Sequence, residues 1–334
     1  MLASDKAGAA KTKLEAAAKA LGQAALTYSP VVEVYPETSS GRRTALANWL
    51  VSKDNPLPAR VAVNDIWLRH FGKPLVATVA NFGRNGAKPS NQALLDWLAV
   101  DFMENGWSMK KLHRTLLTSK AYRMASSGAA LTEANKQIDP ENKFFWHMNA
   151  RRMEAETIRD AVLYQAGLLD LTTGGPDIDE NQAFDSRRRS LYLRQTPDSQ
   201  AEFLRLYDQP MPNDCYIRPE SIIPQQALAS ANSTFFQEAS RILAKSLNGT
   251  RTTDEDFIRA SFNTILGAPP TSVEMAESRK FLTSQSALLS QPERLTRFSD
   301  VVDTRVPPAA DARQRARESL IHALLNHNEF ITVR

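Results

Sequence analysis

Between residues 42 and 125, large apolar residues recur at intervals of three and four: Leu46, Trp49 and Leu50, then Val63, Ile66, Trp67 and Phe71. That is the period of a helix with one apolar face, so each run predicts an amphipathic helix. The first stops at Asp54-Asn55-Pro56, and the second starts near Pro58, whose fixed φ and missing N–H suit the first helical position. After a loop from Gly72 to Gly86, Ser90 is the expected cap of a further helix. In it Leu94, Leu95, Trp97, Leu98, Val100, Phe102 and Met103 leave almost no polar face, which predicts burial all round. The next helix begins at Ser108, where Trp107 before the cap and Leu112 one turn on form a hydrophobic staple.

On the N-terminal side, residues 6–27 are rich in Ala and Lys and predict a helix whose only large apolar residues are Leu14, Leu21 and Leu26. So thin a stripe predicts weak packing or a partner. Tyr28 to Ser40, with Pro30, Pro36 and alternating Val32 and Val34, reads as an extended linker. On the C-terminal side a polar loop over 125–140 precedes a helix over 153–169, a long irregular loop from Thr172 to Asp185, and a short strand over Ser190–Arg194. Helices resume over 224–247, 254–266, 271–289, 292–302 and 310–327. The fold class is therefore mostly α, a multi-helix globular domain with at most one small β element. The expected organisation is an Ala-rich helix over 1–30, a linker over 31–41, a helical subdomain over 42–125, a loop over 126–140 and a second helical subdomain over 141–334. The two subdomains are expected to pack as one unit.

Composition narrows the function classes. The chain has 334 residues, 41 Lys and Arg against 37 Asp and Glu, and a single cysteine, Cys215. One cysteine forms no internal disulfide, and the absence of CxxC and CxxCH excludes a cysteine-based zinc site and covalently held c-type haem, so no cofactor is expected in this chain. A net charge of +4 is a small imbalance. Its densest runs, Arg187 to Arg189 and Arg313, Arg315 and Arg317, read as paired surface rather than a nucleic-acid face. No stretch has the length of a membrane span, and the first thirty residues lack a signal-peptide pattern. Dinucleotide, Walker, HExxH, GxSxG and EF-hand patterns are absent. His322 and His327, five residues apart, diverge by about 140° on a helix, so shared metal ligation is not expected and no metal site is predicted.

The segment from Arg151 to Ala161 carries the densest charge on an apolar-periodic background. On a helical projection Glu154 falls on the side of Ile158, Ala161 and Val162, while Glu156, Arg159 and Asp160 fall opposite. A carboxylate there is either a first-turn residue paired with an arginine, or a raised-pKa acid working with Asp160, Glu156 or Asp96, as in glycoside hydrolysis. Both readings stay open at the level of sequence. If a polar cluster forms, its anions are Asp96, Glu154 and Asp160, the catalytic candidates. Its binding candidates are Arg60, Asn64 and Arg159, with Arg84 in the turn Asn81-Phe-Gly-Arg-Asn-Gly86, whose glycines are expected at positive φ. Asp208 to Cys215 offers oxygen ligands without the spacing of a calcium loop.

Several phrases resemble a known family. Asn55-Pro-Leu-Pro-Ala-Arg60, Asn64-Asp-Ile-Trp67, His70-Phe-Gly72, Asn81-Phe-Gly83, Leu94-Leu-Asp96-Trp97 and Arg151 to Ala161 occur in the order found in the C-terminal domain of large planctomycete multidomain cytochrome proteins. Arg188 to Tyr192, Tyr207-Asp208-Gln-Pro210, Pro224-Gln-Gln226-Ala-Leu228 and Ala323 to Phe330 continue the series. The resemblance covers about 41–334. It implies a domain of unknown function in an exported, extracytoplasmic multidomain chain, with the companion domains or another protein as partners. Asn91-Gln92-Ala93 departs from the His-Pro-Glu usual there, so a capping box from Ser90 is not formed, and Asp65 stands where an arginine is usual. Two functions follow as expectations: a non-catalytic helical interaction module, or a glycan-active or redox-linked enzyme built on Glu154 and Asp160.

Overall fold

The computed structural model describes residues 2–22, 38–126, 133–213, 218, 220–249, 253–295 and 304–333, with backbone alone for 2–7 and 9. The linker expected over 28–40 lies mostly outside these residues, as do Leu26, Cys215, the middle of the 125–140 loop and the end of the helix expected over 292–302. The chain divides into two units, Met1–Asn55 and Pro56–Arg334.

The first unit holds helices α1 (Leu2–Leu21) and α2 (Arg42–Leu50). On α1 the thin stripe stays open, with Leu14 and Leu21 exposed. On α2 the face expected to be core is not: Leu46, Trp49 and Leu50 are exposed and no residue is buried. Two and a half turns carrying three large apolar residues give too narrow a face to close a core within this unit.

In the second unit α3 (Leu57–Phe71), α4 (Gln92–Glu104) and α5 (Met109–Leu117) enclose one core, followed by the short exposed α6 (Glu133–Ile138). Val63, Trp67 and Phe71 of α3 meet Leu95, Leu98 and Phe102 of α4 and Leu112 and Leu116 of α5. The Trp67 ring stacks on Phe71 at 3.9 Å, as the apolar spacing on α3 requires. Two local expectations change. Asn91, not Ser90, caps α4, its side chain accepting from Leu94 N at 3.0 Å. And α4 is not buried all round, because α3 and α5 cover one side and leave Trp97 58% and Val100 47% exposed. Ser108 caps α5 as expected, accepting from Lys111 N.

Strand β1 (Arg151–Arg152) leads into α7 (Ala155–Gln165), α8 (Glu202–Leu206), α9 (Pro224–Asn232), α10 (Thr234–Asn248), α11 (Asp254–Ile265), α12 (Ser272–Leu289), α13 (Ala312–Leu325) and β2 (Thr332–Val333). Ile158 and Val162 of α7 pack with Phe236 and Leu243 of α10, Phe257 of α11 and Leu320 and Ile321 of α13 in a second core. The single helix expected over 224–247 is two, parted at extended Ser233. Asn232-Ser233-Thr234 brings together three short polar side chains that compete with helical backbone pairing. The strand expected over Ser190–Arg194 is a 3-10 turn at Ser190–Tyr192, followed by a bridge of Leu193 to Ile178. Asp160 holds the Ser190 amide at 2.8 Å and turns the chain there. Among the described residues the one two-stranded sheet is instead antiparallel β1–β2, pairing Arg151 with Val333 and Arg152 with Thr332. The result is a mostly α fold in which β1 joins the end of α3 to the start of α7.

Candidate functional site

The expected polar cluster is dispersed. Arg60 donates from Nε to Asp96 Oδ1 at 2.7 Å, and Gln92 donates to the same oxygen, so both candidates close an ion pair between α3 and α4. The two hydrogen bonds and the Arg60 charge hold the Asp96 carboxyl below the usual carboxylate range. Asn64 is fully buried and pairs with both backbone groups of Val76, accepting from its N–H at 2.8 Å and donating to its carbonyl at 3.2 Å. Arg159 is also fully buried. It donates to the carbonyls of Ala183, Arg188 and Ser186 at 2.6, 2.9 and 2.5 Å and reaches Ser190 Oγ and Asp160. Asp160 in turn accepts from the Ser190 N–H and O–H. Asn64, Arg159 and Asp160 thus brace loops, and Arg60 and Asp96 tie two helices together.

The Asn81–Gly86 turn is closed by Asn81, whose side chain accepts from Gly83 N at 2.9 Å, and Arg84 stands exposed on it. Neither Gly83 nor Gly86 has positive φ. Gly86 is needed for space, since a Cβ would lie 2.2 Å from Asn81 O. Within the basic runs, Arg188 lies over the Tyr192 ring at 3.9 Å, and Arg313 and Arg317 share Asp254.

Glu154 alone among the catalytic candidates lines a cleft. It is the N-cap residue of α7 rather than a residue of its first turn, and its side chain is one-third exposed. Arg69 donates to it at 2.8 Å and Arg218 approaches at 3.4 Å, while Arg218 also forks onto Glu156 at 2.8 and 3.2 Å. Both carboxylates are thus held by arginine. Asp160, six residues beyond Glu154, is turned by about 240° and faces Ser190 instead.

The cleft has a volume of about 300 Å³ and lies between the α3 end and the β1–α7 junction. Its apolar wall is Leu68, Pro74, Ala77, Val79 and Met153; its polar wall carries Arg69, Arg151, Arg152 and Arg218 against Glu154, Asp208 and Glu220. Gly72 caps α3 at φ +74, the left-handed region that favours glycine, and the Arg151 stem packs beside it. Arg152 donates to Ser221 O at 2.9 Å and to Gln226, and lies 5.5 Å from the centre of the Tyr207 ring. Tyr207 is buried and donates to Gln226 O, and burial pushes its phenol above the ordinary value. Asp208, at φ +62, accepts from Ser221 and Gln226 and so fixes the outer rim.

Arg151 differs from its neighbours. It has no carboxylate partner among the described residues, and its Nε is buried without an acceptor. Arg218 Nε is also buried without a hydrogen bond, its 3.4 Å approach to Glu154 being a charge contact only. Behind Arg151, His70 Nε2 and His113 Nδ1 lie 2.7 Å apart, and burial, then the His113 and Arg151 charges, hold the His70 imidazole below its ordinary pKa. Beyond the strand lies a second cavity of about 580 Å³ that shares Arg151, Arg152, Tyr207 and Glu220 with the first.

Sequence reasoning placed Arg151 and Arg152 in the charged segment without assigning them to the site, and missed Arg69 and Arg218. The available signal was their phrases: His70-Phe-Gly72, Arg151 to Glu154, Tyr207-Asp208 and Pro224 to Gln226 all meet here. No group of three or more metal-binding side chains is found among the described residues, and none of their helices is long and apolar enough to cross a membrane.

One family profile, described as PSD1, a protein of unknown function (DUF1553), matches residues 42–282. No curated protein and no solved structure matches the chain.

Proposed function

The chain belongs to the DUF1553 family of proteins of unknown function, and from that premise and the cleft geometry we propose that it is a non-catalytic helical interaction module. Its cleft takes a carboxylate group of the partner between Arg151, Arg152 and Arg218. The observation that carries this reading is Arg151, which lines the cleft without a carboxylate partner among the described residues, in a wall whose carboxylates Glu154 and Asp208 already have partners. A planar carboxylate is the ligand that a guanidinium fork satisfies best. The start of α7 adds the positive end of a helix dipole.

The resemblance of the chain to the C-terminal domain of exported planctomycete cytochrome-type proteins supports an extracytoplasmic setting, with the companion domains as partners. Titration of the chain with sodium butyrate, followed through the arginine Nε–H resonances, tests the site. A saturable shift that sodium chloride does not reproduce and Arg151→Met abolishes is expected; no shift overturns the proposal.

A second reading, a glycan-active enzyme, draws on the position of Glu154 in this cleft. Cleavage of a polysaccharide that Glu154→Gln abolishes would favour it over the first.

A further inference from the structure

Helices α4 and α5, joined by a short turn over 105–108, carry opposite charge on neighbouring surfaces. Helix α4 holds Asp96, Asp101 and Glu104 and no Lys or Arg, whereas residues 105–125 hold Lys110, Lys111, Arg114, Lys120 and Arg123 and no Asp or Glu. Core packing of Leu95, Leu98 and Phe102 on α4, and of Leu112 and Leu116 on α5, fixes which faces point out. On the outer face of α4, Trp97, Val100, Asp101 and Glu104 fall within about 100° of arc; on that of α5, Lys110, Lys111, Arg114 and Leu117 fall within about 120°. Trp97, Val100, Met109 and Leu117 are all exposed. Asp96 is taken by Arg60, but Asp101, Glu104, Lys110, Lys111 and Arg114 close no ion pair among the described residues. Asn105 instead donates to Asp101 at 2.9 Å and accepts from Lys111, bridging the two helices across the turn.

We infer that this surface binds a second copy of the chain in a two-fold dimer, with the acidic, Trp97-bearing face of α4 on the basic face of α5 in each direction. An acidic patch beside a basic one is a pattern that a two-fold axis turns onto itself, since each patch then meets its opposite in the other copy. The charges also stand where the dipoles of their own helices disfavour them, Asp101 and Glu104 near the C-terminus of α4 and Lys110 and Lys111 in the first turn of α5. Local helix stability therefore does not account for them. Trp97 with Val100 supplies a large apolar centre, and the surrounding charges set the register and reject wrong partners. An anionic lipid surface matches the cations of α5 but sets Asp101 and Glu104 against its headgroups, and an acidic protein meets the same repulsion. A second copy is complementary to both faces.

The dimer surface does not draw on the cleft at Arg151, and its test leaves that site untouched. Sedimentation velocity of the full chain over a range of concentrations is expected to show a monomer–dimer equilibrium that weakens as salt rises. Trp97→Ala, at an exposed position, is expected to weaken dimerisation at least about tenfold. Glu104→Lys and Lys110→Glu, also at exposed positions, are each expected to be monomeric at concentrations where the native chain dimerises. Their equimolar mixture is expected to regain a dimer, because each reversed charge then faces its opposite. Circular dichroism matching that of the native chain shows that the variants fold. A chain that stays monomeric at every concentration, a dimer that Trp97→Ala leaves intact, or a mixture that stays monomeric overturns the inference. A monomeric chain that binds phosphatidylglycerol vesicles also overturns it and assigns the α5 face to a lipid surface.

Discussion

Replacing Arg159 with Met asks whether the most buried charge in the chain is a brace or a ligand. The loop from Leu169 to Ser190 has little regular structure, so its inward-facing carbonyls need donors from elsewhere. Arg159 supplies them, to Ala183, Ser186 and Arg188, and reaches Ser190 Oγ and Asp160. Methionine keeps much of the stem volume and removes every donor. Each buried acceptor left unmet costs about 1–3 kcal/mol, and breaking a buried charge pair from one side costs about 3–5 kcal/mol. These overlap rather than add. Asp160 is 19% exposed and keeps both Ser190 donors, which trims the second figure. The expected loss is therefore about 3–5 kcal/mol, a fall in Tm on the order of 10 °C for a unit of this size. Urea denaturation followed by far-ultraviolet circular dichroism reads it as a lower midpoint with unchanged slope. Hydrogen exchange at residues 183–190 should accelerate along with it. A loss below about 1 kcal/mol would refute the reasoning, and unchanged stability with weakened butyrate binding would make Arg159 a ligand-binding residue instead.

Four further outcomes follow from the same structure. Asn64→Ala strips both partners from the buried backbone groups of Val76 and should cost about 2–4 kcal/mol by urea denaturation; a cost under about 1 kcal/mol would mean water replaces the side chain. Gly86→Ala drives a Cβ to within 2.2 Å of a carbonyl and should cost about 1–3 kcal/mol, whereas Arg84→Ala in the same turn should leave the melting temperature unmoved. Thr271→Ala removes the α12 capping box and should cost about 1 kcal/mol, read from the thermal midpoint. Because His70 has a depressed pKa in the fold, its neutral form is favoured there, and the stability it adds is complete above about pH 6.5 and lost as pH falls through the folded value. Urea midpoints should therefore fall more steeply on acidification in the native chain than in His70→Gln, and parallel curves would count against the half-buried imidazole pair.

Helices were legible where an apolar face coincided with a start signal, a proline in α3 and a capping Ser or Thr in α5, α11 and α12. What failed were features that depend on residues distant in sequence. A two-residue strand such as Arg151–Arg152 has no periodicity, and its partner Thr332–Val333 lies at the other end of the chain. Apolar content around α4 predicted full burial, yet only tertiary contacts decide which side is covered, and Trp97 stays outside. The break at Ser233 is the local exception: Asn232-Ser233-Thr234 interrupts a helical pattern that continues on both sides.

The charged residues show the same limit in chemical form. Their types and local spacing made Arg60, Asn64, Asp96, Arg159 and Asp160 look like a site, but each is satisfied by a brace whose other half is a backbone group or an opposite charge. A polar residue becomes available for binding when its partners run out, and partners are a property of the fold. Arg151 meets that condition because its stem lies against the α3 cap at Gly72, the β1–β2 pairing holds its backbone, and Arg69 and Arg218 have taken Glu154 and Glu156. The unsatisfied donor is therefore a product of three separate chain segments, and the ligand that completes it should be sought through Arg151 rather than through the acidic residues that first drew notice.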